Sequence, residues 1–412
     1  MNLREDLSAE HAEVAGRDGA LTGLKVIDLS RVLGGPFAGQ ILGDHGADVI
    51  KVEPPAGDET RAWGPPFLEG TASYFLGLNR NKRGIALDLR QPAGREVLLR
   101  LLEDADVVLE NFKTGTMEKW GLGFDDVLSK RFPRLIHCRV TGFGADGPLG
   151  GLPGYDAVLQ AMGGIMSVNG SADSGPMRVG LPVVDMVTGL NAALAVMLAL
   201  HHRQATGRGQ FVEATLFDSA LSLLHPHAAN FALSGRLPQR SGNDHPNIAP
   251  YSTYATATRA IYLAVGNDRQ FARLCEVIGA DDLPADPRFA SNGARVTNRD
   301  ALRVELEDYM SVFDGATLAE QLIRAGVPAG PVLNVQEALE HPHTAHRGMR
   351  VGIDDYTGLG APAHLAETKA SYRRKPPAFG QHTEEVLAAA GFSKEDIEAL
   401  RESGAVPARP VA

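Results

Sequence analysis

Residues 24–53 read LKVIDLSRVLGGPFAGQILGDHGADVIKVE, and this run decides the fold class. Residues 24–29 form a short apolar strand. A turn follows at Gly34, Gly35 and Pro36, then a helical stretch over 37–43, then a second apolar strand over 47–53. The pattern repeats outward. A strand is predicted over 84–89 and an amphipathic helix over 94–104, with Val97, Leu98, Leu101 and Leu102 on one face. Further strands follow over 106–111 and 134–140. Continuous apolar strands alternating with helices imply a parallel sheet covered on both faces. The expectation is an α/β protein with a Rossmann-like large domain.

Residues 183–204 read as one long helix around the apolar core AALAVMLAL, and residues 208–215 return to an extended pattern. The texture changes near residue 234. The stretch SGRLPQRSGNDHPNIAPY, 234–251, is rich in Gly, Pro and Asn, as a linker or a mobile binding loop would be. Short strands and helices then mark a second domain. The predicted division is a loose tail over 1–20, a large domain over 21–225 completed by about 340–412, and a smaller α+β domain over 232–335. The last predicted element is a short helix over 383–390.

Composition excludes several classes. The chain has 412 residues and a net charge of −10, leaving no basic excess to neutralise nucleic-acid phosphates. Two cysteines, Cys138 and Cys275, rule out a disulfide scaffold or a Cys-rich metal site. The polar, acidic start is no signal peptide. The run from 192 to 200 falls short of the ~20 apolar residues that span a bilayer. These features lead us to expect a cytoplasmic protein with no membrane partner.

The first strand–turn–helix invites a dinucleotide, but G-x-G-x-x-G is missing: Gly34, Gly35 and Gly39 have the wrong spacing. A P-loop, H-E-x-x-H and G-x-S-x-G are also absent. The histidines at 341, 343 and 346 match no standard ligand spacing, so no metal site is expected. Lys82, Arg83 and Arg90, preceded by Asn79, Arg80 and Asn81, form the densest basic spot of the first half. They suit either phosphates or a solvated face. Residues 110–113 lie at a strand C-terminus, where open α/β sheets bind ligands, and Phe112 could pack on an adenine or on the core edge. Asp185 opens the long helix among small residues. An acid there either caps the helix or works chemically, with Asp156 and Asp218 as competing acids.

Several motifs occur together and in order. They are the 24–53 run, YFLGLNRNKRGIALDL, VVLENFKTGTMEKWGL, RLIHCRVTGFGADGP, GYDAVLQAMGGIMSVNG, the Asp185 segment, GRGQFVEATLFDSAL and GNDHPNIAPY. In these the chain resembles the class III CoA-transferases, the group of formyl-CoA transferase and carnitine CoA-transferase, from about residue 21 to 392.

The resemblance implies that Asp185 is the nucleophile. It implies a coenzyme A site at Leu33, Gly34, Leu87, Asp88, Leu89, Arg90, Asn111, Phe112, Lys113 and Lys119. Thr141 and Pro54 depart from basic residues found in some members, so the phosphate contacts must differ. It implies an interlocked homodimer of large and small domains, acyl-CoA and a small carboxylic acid as substrates, and no permanently bound cofactor. Related racemases on this fold have His where this chain has Tyr155. A phenol with a pKa of about 10 is a poor shuttle at neutral pH, so racemase is the second reading. The GNDHPNIAPY segment is similar to members acting on small dicarboxylic acids. Arg31 and His245 are the candidate cations for the acceptor carboxylate, and the loop over 242–251 is the candidate cover of the site.

Overall fold

The computed structural model describes residues 19–411. The tail expected over 1–20 lies, save its last two positions, outside the described residues. The chain forms two compact units. One is built from residues up to 164, from 179–224 and from 343 onward; the other from 165–178 and 225–342. The sequence division kept 165–178 in the larger unit; in the structure this segment groups with the smaller.

The larger unit is built on a six-stranded sheet. Its strands are β1 (Lys25–Asp28), β2 (Asp48–Glu53), β3 (Lys82–Ala86), β4 (Val107–Glu110), β5 (Ile136–Thr141) and β6 (Phe211–Thr215). Every pairing is parallel, in the order β3-β2-β1-β4-β5-β6. That is the doubly wound order, with a switch point between β1 and β4 where ligands bind beyond the strand ends. Val26 pairs with Val49 on one side and Val107 on the other, and all three are fully buried. Burying each such side chain stabilises the fold by ~1.5–3 kcal/mol.

Helix α1 (Gly34–Asp44) begins inside the glycines expected to form only a turn. Helix α2 (Pro92–Leu101) starts with Pro in its first turn and buries Val97, Leu98 and Leu101, the predicted face. Helix α3 (Thr116–Lys119) and helix α4 (Asp156–Met162) are short. Helix α5 (Val183–Thr206) has the length and composition to cross a bilayer, with a mean hydropathy of 1.9 in its most apolar window. In the described chain it packs against α1, β5 and β6 and ends on Gly207, whose φ of 74° makes a left-handed cap. Strand β3 starts and ends earlier than predicted. Residues 87–89 leave the sheet, and Asp88 N–H donates to the Ala405 carbonyl (2.9 Å).

The smaller unit carries an antiparallel sheet of Tyr251–Tyr254, Ile261–Ala264 and Ala329–Pro331. Helices cover it around Leu263, Phe271, Leu306 and Leu322. The loop over 242–251 is tied down despite its Gly/Pro composition. Arg303 holds Asp244 at 2.7 Å, Tyr262 Oη donates to the Asn243 carbonyl (2.8 Å), and Asn292 Nδ2 donates to the Asn247 carbonyl (3.0 Å).

Candidate active site

The chain leaves β1 through residues 30–34, and this turn forms one wall of the site. Asn111, just past β4, uses both ends of its amide on one residue: Arg31 N–H donates to Asn111 Oδ1 (2.9 Å), and Asn111 Nδ2 donates to the Arg31 carbonyl (2.7 Å). Its side chain thus braces the turn, at a position where the sequence pointed to coenzyme A contact, and it still lines the cavity. Glu110 fixes the next residue, accepting from Phe112 N–H (2.7 Å) and from Arg139 Nε (2.6 Å). Phe112 also packs edge-on against Trp120, with centroids 5.2 Å apart.

The opposite wall is the head of α5. Asp156 Oδ1 accepts from the N–H groups of Val184 (2.8 Å) and Asp185 (3.2 Å), while its Oδ2 accepts from Gln160 (2.7 Å). Asp156 therefore satisfies the open amides of α5, and Asp185 does not cap. The Asp185 carboxyl accepts no hydrogen bond from the described residues. Burial, and then the negative charge of Asp156, raise its pKa from 3.8 to about 7.

Two glycines set how closely the walls approach. A Cβ on Gly189 would meet the Gly34 carbonyl oxygen at 2.6 Å, and one on Gly34 would meet the Asp185 carbonyl at 3.4 Å. The result is a cavity of about 250 Å³ that brings Arg31, Leu33, Gly34, Asn111, Phe112, Lys113 and Asp185 together. Thr141 and Tyr155 line it too. A second cavity of about 390 Å³ shares Arg31 and Phe112, and is lined by Pro54 and by Leu87, Asp88, Leu89 and Arg90. Leu87 and Leu89 are buried core residues, whereas Arg90 is exposed and pairs with Asp88 (2.8 Å). Lys119 ends α3, is exposed, and lines neither cavity.

The rest of the basic spot is structural. Arg80 pairs with Asp44, the fully buried Lys82 with Asp28 (2.8 Å), and Arg83 with Asp48 and Glu385. None of these three is left for phosphates, because each cation entered the fold with its own carboxylate. His245 belongs to the smaller unit. Its ring lies 4.9 Å from Tyr251, and its Nδ1 accepts from Asn247 N–H (3.1 Å). Burial, then the charges of Arg299 and His227, push its pKa below 6.5, so the ring is neutral at pH 7 and lacks the charge expected of it. Sequence reasoning missed Tyr74. Its phenol is pushed up to about 12 by burial and by the nearby charges of Asp185, Asp156 and Asp58, so it stays a donor. No spacing rule joins Tyr74 to Asp185.

Residues 21–383 match the model of CoA-transferase family III. The chain belongs to CoA-transferase family III. It is 41% identical over 388 residues to a succinate–glutarate CoA-transferase of Agrobacterium fabrum, covering 91% of this chain and 97% of that protein. It is 38% identical to a succinyl-CoA:mesaconate CoA-transferase of Haloarcula hispanica, covering 90% and 97%. A CAIB/BAIF family protein from Brucella suis has a similar structure, with a TM-score of 0.83, 42% identity, and coverage of 91% and 100%. The chain is a CoA-transferase.

Proposed function

We propose that the enzyme moves CoA from an acyl-CoA donor to a small free dicarboxylic acid through Asp185. One observation carries this reading. The Asp185 carboxyl stands in the cavity and accepts no hydrogen bond from the described residues, while Asp156 takes over the capping duty its position would otherwise impose. A carboxylate with a raised pKa is a stronger nucleophile once ionised.

In the proposed sequence, an Asp185 oxygen attacks the thioester carbon and the C–S bond breaks. CoA thiolate leaves, and an aspartyl–acyl anhydride forms. The thiolate then attacks the aspartyl carbonyl, giving an aspartyl-CoA thioester and releasing the donor acid. The acceptor carboxylate attacks that thioester and frees the thiolate again. The thiolate attacks the acceptor's acyl carbon and restores the Asp185 carboxylate. Atoms balance without water, oxidant or cofactor.

Arg31 is the proposed acceptor-binding cation. Its Nε is buried and unpartnered among the described residues, in the wall shared by both cavities. The cavity lined by Leu87 to Arg90 is the proposed seat of the nucleotide end of CoA, with Lys113 nearer the reacting end. Relatives named for glutarate and mesaconate support a dicarboxylate acceptor. The racemase reading is disfavoured, because both oxygens of Asp156 are engaged in hydrogen bonds beside Tyr155. A homodimer in the cytoplasm completes the proposal. The outward face of α5 exposes Leu190, Leu194 and Leu198, an apolar stripe suited to a partner subunit, and both cysteines are free and buried.

The test is a panel of acyl-CoA donors against mono- and dicarboxylic acids, with products identified by mass spectrometry. The expected product is a dicarboxylate monothioester formed with equimolar release of the donor acid. Epimerised acyl-CoA formed without any acceptor would contradict the proposal.

A further inference from the structure

The turn after β1 is held in a conformation its sequence disfavours. Val32 is β-branched yet sits at φ 69°, in the left-handed region. Such a residue stays there only where its surroundings over-determine the backbone. Here they do. Ser30 N–H donates to Asp28 Oδ1 (3.0 Å), and the Ser30 carbonyl accepts from Lys51 Nζ (2.9 Å). Arg31 is bracketed by Asn111, and Val32 N–H reaches Asp58 Oδ1 at 3.4 Å. Lys51 and Asp58 then meet each other at 3.0 Å, both side chains wholly buried.

A buried ion pair is weak evidence of stability, since well-packed apolar residues would do as well or better. This pair has another use. One end of it grips the carbonyl of Ser30 and the other the amide of Val32, on either side of Arg31. Asp58 is held in turn by Thr60 Oγ1 (2.7 Å), and its own N–H donates to Glu53 Oε2 (2.9 Å), so it has no freedom to react. We infer that the Lys51–Asp58 pair is a positioning device for residues 30–34, keeping Val32 left-handed so that Arg31 and Gly34 stay in the wall of the Asp185 cavity. The inference rests on reading that cavity as the reaction centre. Lys51 and Asp58 are positioning residues; neither lines the cavity.

The full-length enzyme carries the test. Lys51→Met with Asp58→Leu removes both charges and leaves none unpaired. Cooperative unfolding should stay near wild type, and the Kd for free CoA should change less than kcat, because of the clamped residues 30–34 only Arg31 reaches the cavity lined by Leu87 to Arg90. The kcat should fall about 100-fold, the scale of a misplaced binding wall. Adding Val32→Gly to that variant should recover about tenfold, because glycine takes a positive φ without the penalty of an L side chain. If the double variant does not fold, Asp58→Asn with and without Val32→Gly is read the same way. An unchanged kcat in the folded variant would overturn the inference, and so would a Val32→Gly that restores nothing. Asp185→Ala, assayed alongside, separates the two levels: turnover there removes the reading of the cavity, while a silent clamp variant removes only the clamp.

Discussion

The pKa of Asp185 is raised to about 7 by its half-buried setting and by the charge of Asp156, and two consequences follow. Attack needs the carboxylate, so kcat/KM for acyl-CoA should rise with pH and level off above about 7, a profile that steady-state rates across pH 5–9 would reveal. Stability should run the other way. The native protein binds the extra proton between about 4 and 7, so stability falls as pH rises through that window. Asp185→Asn should therefore melt higher than wild type at pH 8 and alike at pH 4. One pKa unit corresponds to about 1.4 kcal/mol, an upper bound for a side chain that solvent still reaches. Asp156→Asn tests the coupling: without that negative charge, the acid limb of the rate profile should move to lower pH, whereas an unmoved limb would dissociate the two acids. Arg31→Leu should raise the KM for the acid about 10–100-fold, the loss of one charge-assisted hydrogen bond, and change the KM for acyl-CoA less. The place of Asp185 in the first turn of α5 was legible in the sequence at this scale. The capping role of Asp156 was not, because α4 and α5 meet only in three dimensions. Nor was the pairing of Asn111 with Arg31, since a side chain's partner does not show in its spacing.

Helix α1 against α5 is the element pair on which the site depends. Gly189 lets α5 come within van der Waals range of the Gly34 carbonyl, and no side chain fits between them. Gly189→Ala should cost about 1–3 kcal/mol in overpacking and lower kcat, seen together in thermal melts and rates; wild-type values for both would show that the contact is dispensable. Period-3.6 and continuous apolar patterns placed β1, β2, β4, α2 and α5 to within two or three residues, because buried parallel strands and an amphipathic face leave clear traces. Where the pattern failed, a local partner had prevailed. Arg80, Lys82 and Arg83 looked like a phosphate patch, but their carboxylates come from distant positions. The composition of the loop over 242–251 gave no sign that Arg303 holds Asp244. The final helix Lys394–Glu402 was missed although Ser393 and Asp396 form a capping box that spells out its start.

For the molecule as a whole, the strand order 3-2-1-4-5-6 puts the turn of β1 and the end of β4 side by side at the switch point, which is why residues 31–34 and 111–114 share one cavity. The parallel sheet was legible; the two-part origin of the smaller unit was not, because residues 165–178 carry no marker of the unit they join. The exposed stripe of α5, with Leu194 at 57% and Leu198 at 62% exposure, is large for a free surface. Sedimentation should find a dimer at nanomolar concentration, and Leu194→Lys with Leu198→Lys should give monomers of reduced activity. A fully active wild-type monomer would contradict this. The most direct test of the central claim is peptide mass spectrometry of the enzyme incubated with acyl-CoA alone. The expected result is a CoA adduct on the peptide carrying Asp185, discharged by added dicarboxylic acid and absent from Asp185→Asn. A CoA or acyl adduct on another residue, or an Asp185→Asn enzyme that still transfers CoA, would contradict it.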